Sequence, residues 1–142
     1  MFYLSKEEKL VYFRWKDGSQ SKENLEVYEE APDDEDKVLL SIRVGEEQIS
    51  FKSENFFDAL KQLRQHLEER HIQIKCNGAA LNVYPSPMAL SMGAGRLAYR
   101  LTFGRQAKTS DLVDIFECDN DLTFVSIDEQ LNFYKSWLKS LG

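Results

Sequence analysis

The residue pattern predicts an α+β fold: a single domain in which a mostly antiparallel sheet carries two amphipathic helices, at about 54–70 and 127–141. Three observations lead there. Two segments repeat apolar residues at helical spacing, several short aromatic or β-branched runs alternate in polarity, and turn residues separate those runs at hairpin distances. The chain has 142 residues, 42 % of them apolar, with nine Phe, six Tyr and two Trp, enough to fill one core and to exclude wholesale disorder.

The elements follow in order. Lys9–Trp15 is aromatic and β-branched, and Lys16-Asp17-Gly18-Ser19 closes it as a turn. A short strand around Leu25 and Val27 leads into the loop Pro32–Asp36. Val38–Val44 and Gln48–Lys52 flank Gly45-Glu46-Glu47 as a hairpin, and Ile49 and Phe51 should share a buried face. Phe56, Leu60, Leu63 and Leu67 then recur at i, i+4, i+7 and i+11, with Ser53 or Asn55 as the cap. Ile72 and Ile74 alternate into Cys76. Asn77-Gly78 reads as a type I′ turn, from which Ala79–Tyr84 would return antiparallel.

Pro85–Gly95 is irregular, with room for one helical turn capped by Ser86, started by Pro87 and ended by Gly93. Its methionines, Met88 and Met92, are spaced to pack that turn onto the core. Arg96–Phe103 and Asp111–Cys118 read as partner strands, and Leu122–Val125 as a further one. Ser126-Ile127-Asp128-Glu129 fits a capping box, and Leu131, Tyr134, Leu138 and Leu141 give the last helix its apolar stripe.

The net charge of −6 is confined to one part of the chain. Residues 1–50 hold thirteen acids against seven bases, whereas residues 51–142 hold eleven of each. Eight acids fall between Glu23 and Asp36 with no base among them. Such a surface repels phosphate backbones, so nucleic acid is not an expected partner, and it attracts a basic protein instead. Glu26, Glu29, Glu30, Asp33, Asp34, Glu35 and Asp36 are therefore the expected partner-binding residues. Tyr84, Met88, Met92 and Arg96 form a second candidate surface, since methionines adapt to partner shapes.

Reaction chemistry is hard to find. Gly93-Ala94-Gly95-Arg96-Leu97-Ala98 matches a dinucleotide fingerprint in spelling only, because that motif needs a strand before it and a helix after it. His66 and His71, the only histidines, are five apart and so should sit on different sides of a helix, both facing solvent. Asp111, Asp114 and Glu117 fit a half-exposed strand. We expect no metal site, no cofactor and no catalytic residues; the alternatives are a small adaptor or an enzyme with Cys76 as nucleophile. Cys76 and Cys118 should remain reduced. The start MFYLSKEEKL has neither basic leader nor long apolar stretch, and no run approaches the roughly 20 apolar residues of a membrane span. The expected location is cytoplasmic.

From Leu63 to Leu141 the order of features resembles a group of small bacterial proteins of contact-dependent inhibition and polymorphic-toxin loci. The resemblance rests on Leu63-Arg64…Leu67-Glu68, Cys76-Asn77-Gly78-Ala79 and Asn82-Val83-Tyr84-Pro85-Ser86. It continues through Met88…Met92-Gly93-x-Gly95…Ala98-Tyr99, Asp114-Ile115-Phe116 and Trp137-Leu138. It implies an immunity protein that neutralises a cognate toxin, and it brings no site residues with it. The acidic first third lies outside the resemblance and speaks through its charge alone.

Overall fold

The computed structural model describes residues 6–92 and 94–142. Its first half is a hairpin of two nine-residue strands, β1 (Lys6–Arg14) and β2 (Gln20–Tyr28), paired from Lys6 opposite Tyr28 to Arg14 opposite Gln20. Gly18 makes the turn at φ +88°, and Asp17 holds it by accepting from both the amide and hydroxyl of Ser19. β3 (Val38–Val44) and β4 (Glu47–Ser53) form the second hairpin, with Gly45 at φ +64°. With β5 (Gln73–Lys75) they make an antiparallel sheet in the order β4-β3-β2-β1-β5. Alternation puts Val11, Phe13, Leu25, Val27, Leu40 and Ile42 on one buried face. Ile49 and Phe51, on the edge strand, are only half-buried.

Helix α1 (Phe56–Glu68) lies against β3, β4 and β5, and buries Phe56, Leu60, Leu63 and Leu67. Its cap is Asn55, whose side chain accepts from the Asp58 amide at 2.7 Å. Helix α3 (Ile127–Ser140) opens with the expected capping box between Ser126 and Glu129, and packs against α1 and β6. Between them, Ser86 caps the short α2 (Pro87–Met92) by accepting from the Ala89 amide. The expected Gly93 stop lies outside the described residues. No helix of the described residues is long and apolar enough to cross a membrane.

Three expectations need correction. Asn77-Gly78 is a 3₁₀ turn, not a hairpin, and the strand after it, β6 (Val83–Tyr84), joins a second sheet with β7 (Leu97–Arg100) and β8 (Leu112–Asp114). The cause is long-range bonding: the amides of Asn77 and Gly78 donate to the carbonyls of Glu117 and Ile115, and the Asn77 side chain spans Asp114 and Asp119. Gly78 is needed for space, because a Cβ there would lie 2.4 Å from Leu60 Cδ2. β8 stops early because the Asp114 carboxylate accepts from the Phe116 amide, a turn that drives Ile115 and Phe116 into the core. Leu122–Val125 contributes one bridge, Phe124 to Ala80, rather than a strand.

Two polar clusters join the halves. Arg64, 2 % exposed, donates to Gln130 Oε1 and to the carbonyls of Gly78 and Val125. Gln130 Nε2 lies 2.9 Å from the carbonyls of Gly78, Ala80 and Val83. Nearer the surface, Arg96 makes a two-pronged pair with Glu7 at 2.7 and 2.8 Å, reaches Asp114 at 3.2 Å and lies over the Phe116 ring. Lys9 bridges Glu7 and Glu117 beside it.

Gln130→Leu keeps the volume but strands a buried guanidinium and several carbonyls, so it should lower unfolding stability by about 3 kcal/mol or more, read by chemical denaturation. The hydrogen bond from Arg96 holds the Glu7 carboxyl below its ordinary 4.5. Its stabilising effect is therefore complete above that value and is lost as pH falls through the lower folded value. Glu7→Gln should flatten the acid side of the stability–pH curve, read by chemical denaturation at stepped pH.

Candidate functional site

The acidic segment is an ordered loop between β2 and β3. The Ala31 amide donates to the Lys37 carbonyl at 2.7 Å, the Asp34 amide to Ala31, and the Lys37 amide back to Asp34. The Asp34 carboxylate accepts from the Asp36 amide at 3.0 Å, closing an Asx turn, so Asp34 is half-buried and serves the loop itself. Two more of the seven expected residues are neutralised. Glu26, on β2, accepts from Lys6 at 2.8 Å, and Asp33 accepts from Lys52 at 3.0 Å, a bond that holds the Asp33 carboxyl below its usual value. Glu29, Glu30, Glu35 and Asp36 stay exposed on the same loop. The acidic patch thus reduces to four open carboxylates on a pinned backbone.

The second candidate surface divides. Arg96 is spent on Glu7 and Asp114, while Tyr84 turns to Phe57 and stacks on Tyr134 with ring centroids 4.1 Å apart. Met88 is 68 % exposed, so it does not pack α2 onto the core as its spacing suggested. The side chain of Met92 lies outside the described residues.

Around Tyr84 the structure builds a groove that has no counterpart in the sequence reading. Tyr84, Tyr99, Tyr134, Trp137, Leu138 and Leu141 line an open, largely apolar channel of about 380 Å³ between α3 and the segments 84–87 and 99–107. Tyr134 lies between Tyr84 and Trp137, making an aromatic ladder along α3. The far wall is fastened: the Trp137 indole donates to the carbonyls of Thr102 and Arg105, and the Gly104 amide donates to Ser140 Oγ. A smaller polar pocket adjoins it through the shared residues Gln106 and Ala107, and carries Arg100, Arg105 and Lys108.

Groups suited to covalent chemistry sit elsewhere. Cys76 is fully buried, and that burial pushes its thiol up to about 12, so it packs as a small apolar side chain rather than as a nucleophile. Cys118 is exposed, and both thiols are free. His66 is not the solvent-facing residue expected: its ring meets Phe51 edge-on at 5.9 Å, and Nε2 is buried without a hydrogen-bond partner among the described residues. It points to the half-open side of β4, where a partly buried aromatic needs cover. His71 is exposed beyond the end of α1, in a left-handed turn at φ 58°. Gly95 lies between α2 and β7, the reverse of a dinucleotide motif. Its φ of +73° and a Cβ position 3.1 Å from the Phe57 amide nitrogen explain the glycine by close packing on the start of α1. Among the described residues, no group of three or more His, Cys, Asp or Glu is placed to hold a metal ion.

No family model and no curated protein matches the chain.

The thiol environments set an expected outcome. Native protein should react with a disulfide reagent at Cys118 alone, the Cys118→Ser variant should be inert until unfolded, and denaturant should release both thiols in the parent. Counting thiols with and without denaturant checks this.

Proposed function

We propose that this chain is an immunity-type inhibitor that acts in the cytosol by binding, with no chemistry of its own. Its acidic β2–β3 loop caps the basic surface of a cognate toxin domain, of the kind that must present Lys or Arg to hold nucleic acid. The observation that carries this reading is the loop itself: Glu29, Glu30, Glu35 and Asp36 stand exposed on a backbone already held by its own hydrogen bonds. Carboxylates displayed this way lose little freedom when a partner docks. They raise the encounter rate with a basic surface and form charge-assisted hydrogen bonds on arrival. Glu26 and Asp33, already paired with Lys6 and Lys52, contribute less. The burial of Cys76 also favours a binder over a cysteine-dependent enzyme.

Affinity capture from the producing cells, followed by mass spectrometry, should return a basic protein. Replacing Glu29, Glu30 and Glu35 with Gln and Asp36 with Asn should then slow association about tenfold at low salt and flatten its salt dependence. The fold should survive, because the Asx turn at Asp34 is kept. An unchanged association rate and salt slope, or a partner without a basic surface, would overturn the reading.

A further inference from the structure

We propose that the aromatic groove along α3, with its basic neighbour, is a second docking site, whose occupant is an acidic peptide segment that inserts one large apolar side chain. It shares no residue with the acidic loop and does not depend on the toxin reading.

The groove is apolar where a peptide anchor would enter. Leu138 is 46 % exposed and Leu141 36 %, at the mouth of a channel floored by Tyr84, Tyr134 and Trp137. Large apolar groups left open beside a concave surface mark a binding site more often than scattered exposed residues do. The channel is also preformed. Trp137 and Ser140 tie the opposite wall to α3, so binding would not have to order that wall first.

Charge selects the occupant. Residues 97–110 contain Arg100, Arg105 and Lys108 and no acid. The ion pairs of the described residues engage Lys6, Lys9, Lys37, Lys52 and Arg96, which leaves these three bases without a carboxylate partner among them. All three line a polar pocket of about 110 Å³ that shares a wall with the groove. One acid, Asp111, also lines it, and its carboxylate already accepts from the Lys108 amide. An apolar channel continuing into a basic pocket fits a segment in which an aliphatic or aromatic residue is followed closely by Asp or Glu.

Aromatic and basic residues together can also bind single-stranded nucleic acid, but the geometry here favours peptide. Base stacking needs open ring faces. Tyr134 has a ring on each side, and Trp137 stacks on Tyr134 and spends its indole N–H on backbone carbonyls. The exposed lining is aliphatic, and a chain of net charge −6 repels a polyanion more than a peptide with one or two carboxylates.

The test is a selection from a phage-displayed library of random dodecapeptides against the whole chain, followed by fluorescence-polarisation titration of the best synthetic peptide. The expected consensus pairs one Leu, Ile, Phe or Trp with Asp or Glu within three residues. Leu138→Glu and, separately, Arg105→Glu with Lys108→Glu should each weaken that peptide at least tenfold. The acidic-loop variant with Glu29, Glu30, Glu35 and Asp36 as amides should bind it unchanged, so this result and the toxin reading can fail separately. All three altered positions in the groove are exposed, and circular dichroism will establish that the variants fold. The proposal is overturned by a selection without a consensus, by a consensus lacking acids, by binding that survives both variants, or by a single-stranded oligonucleotide that competes at equal or lower concentration than the peptide.

Discussion

The fold depends on one buried cation. Arg64 sits on the inner face of α1 with no carboxylate of the described residues within hydrogen-bonding distance, so its guanidinium must find neutral acceptors. A buried charge left unsatisfied costs several kcal/mol, and every acceptor it recruits is thereby fixed in place. The recruits are the carbonyls of Gly78 and Val125 and the amide oxygen of Gln130, and Gln130 turns its own nitrogen onto Gly78, Ala80 and Val83. Segment 77–83, the approach to α3 and α1 are thus one bonded unit. Glu68 adds a tie by accepting from the Ile127 amide at the start of α3. Desolvation lowers the affinity of Arg64 for its proton, yet the ring of carbonyls is built for the charged form.

That constraint explains which parts of the fold were legible. The hairpin β3–β4, α1 and the capping box of α3 rest on contacts close in sequence and are legible with nearly the right bounds, whereas β2 starts at Gln20, well before the short strand expected around Leu25 and Val27. The 77–83 stretch was misread because Asn77-Gly78 is locally a good turn. Its carbonyls, however, are claimed by Arg64 and Gln130, and its amides by residues some forty positions on. Gly78 and Gly95 share this lesson. Gly78 looks like half of a tight turn and Gly95 like part of a dinucleotide motif, but at each a neighbour, Leu60 or the start of α1, occupies the space of a side chain. The Ala94 carbonyl takes the Phe56 amide at 2.6 Å, so the α2–β7 connection satisfies a donor that α1 could not bond internally.

The two candidate surfaces were legible to different degrees for the same reason. Charge density is a one-dimensional property, so the acidic run was visible, but its partial neutralisation by Lys6 and Lys52 required the sheet to bring distant positions together. The groove draws its aromatics from positions 84, 99, 134 and 137, and no window of the sequence contains them all. Two signals did exist. The last helix carries Phe133 and Trp137 beyond its stripe of Leu131, Tyr134, Leu138 and Leu141, and residues 97–110 contain bases without acids. Only their adjacency in space gives either a meaning.

Part of the charge is paired where the two sheets meet. Lys9, Glu7, Arg96, Asp114 and Glu117 gather where the larger sheet meets the smaller one, so most of the ion pairing that spans the two halves is consumed at the seam. Glu7 and Asp114 hold Arg96 in its charged form there. Outside the seam, open carboxylates stand on the β2–β3 loop, and Arg100, Arg105 and Lys108 line the pocket beside the groove. The seam therefore does two jobs with the same residues. It joins two sheets that share no hydrogen-bonded strand, and it pairs three carboxylates with two cations that would otherwise stand open.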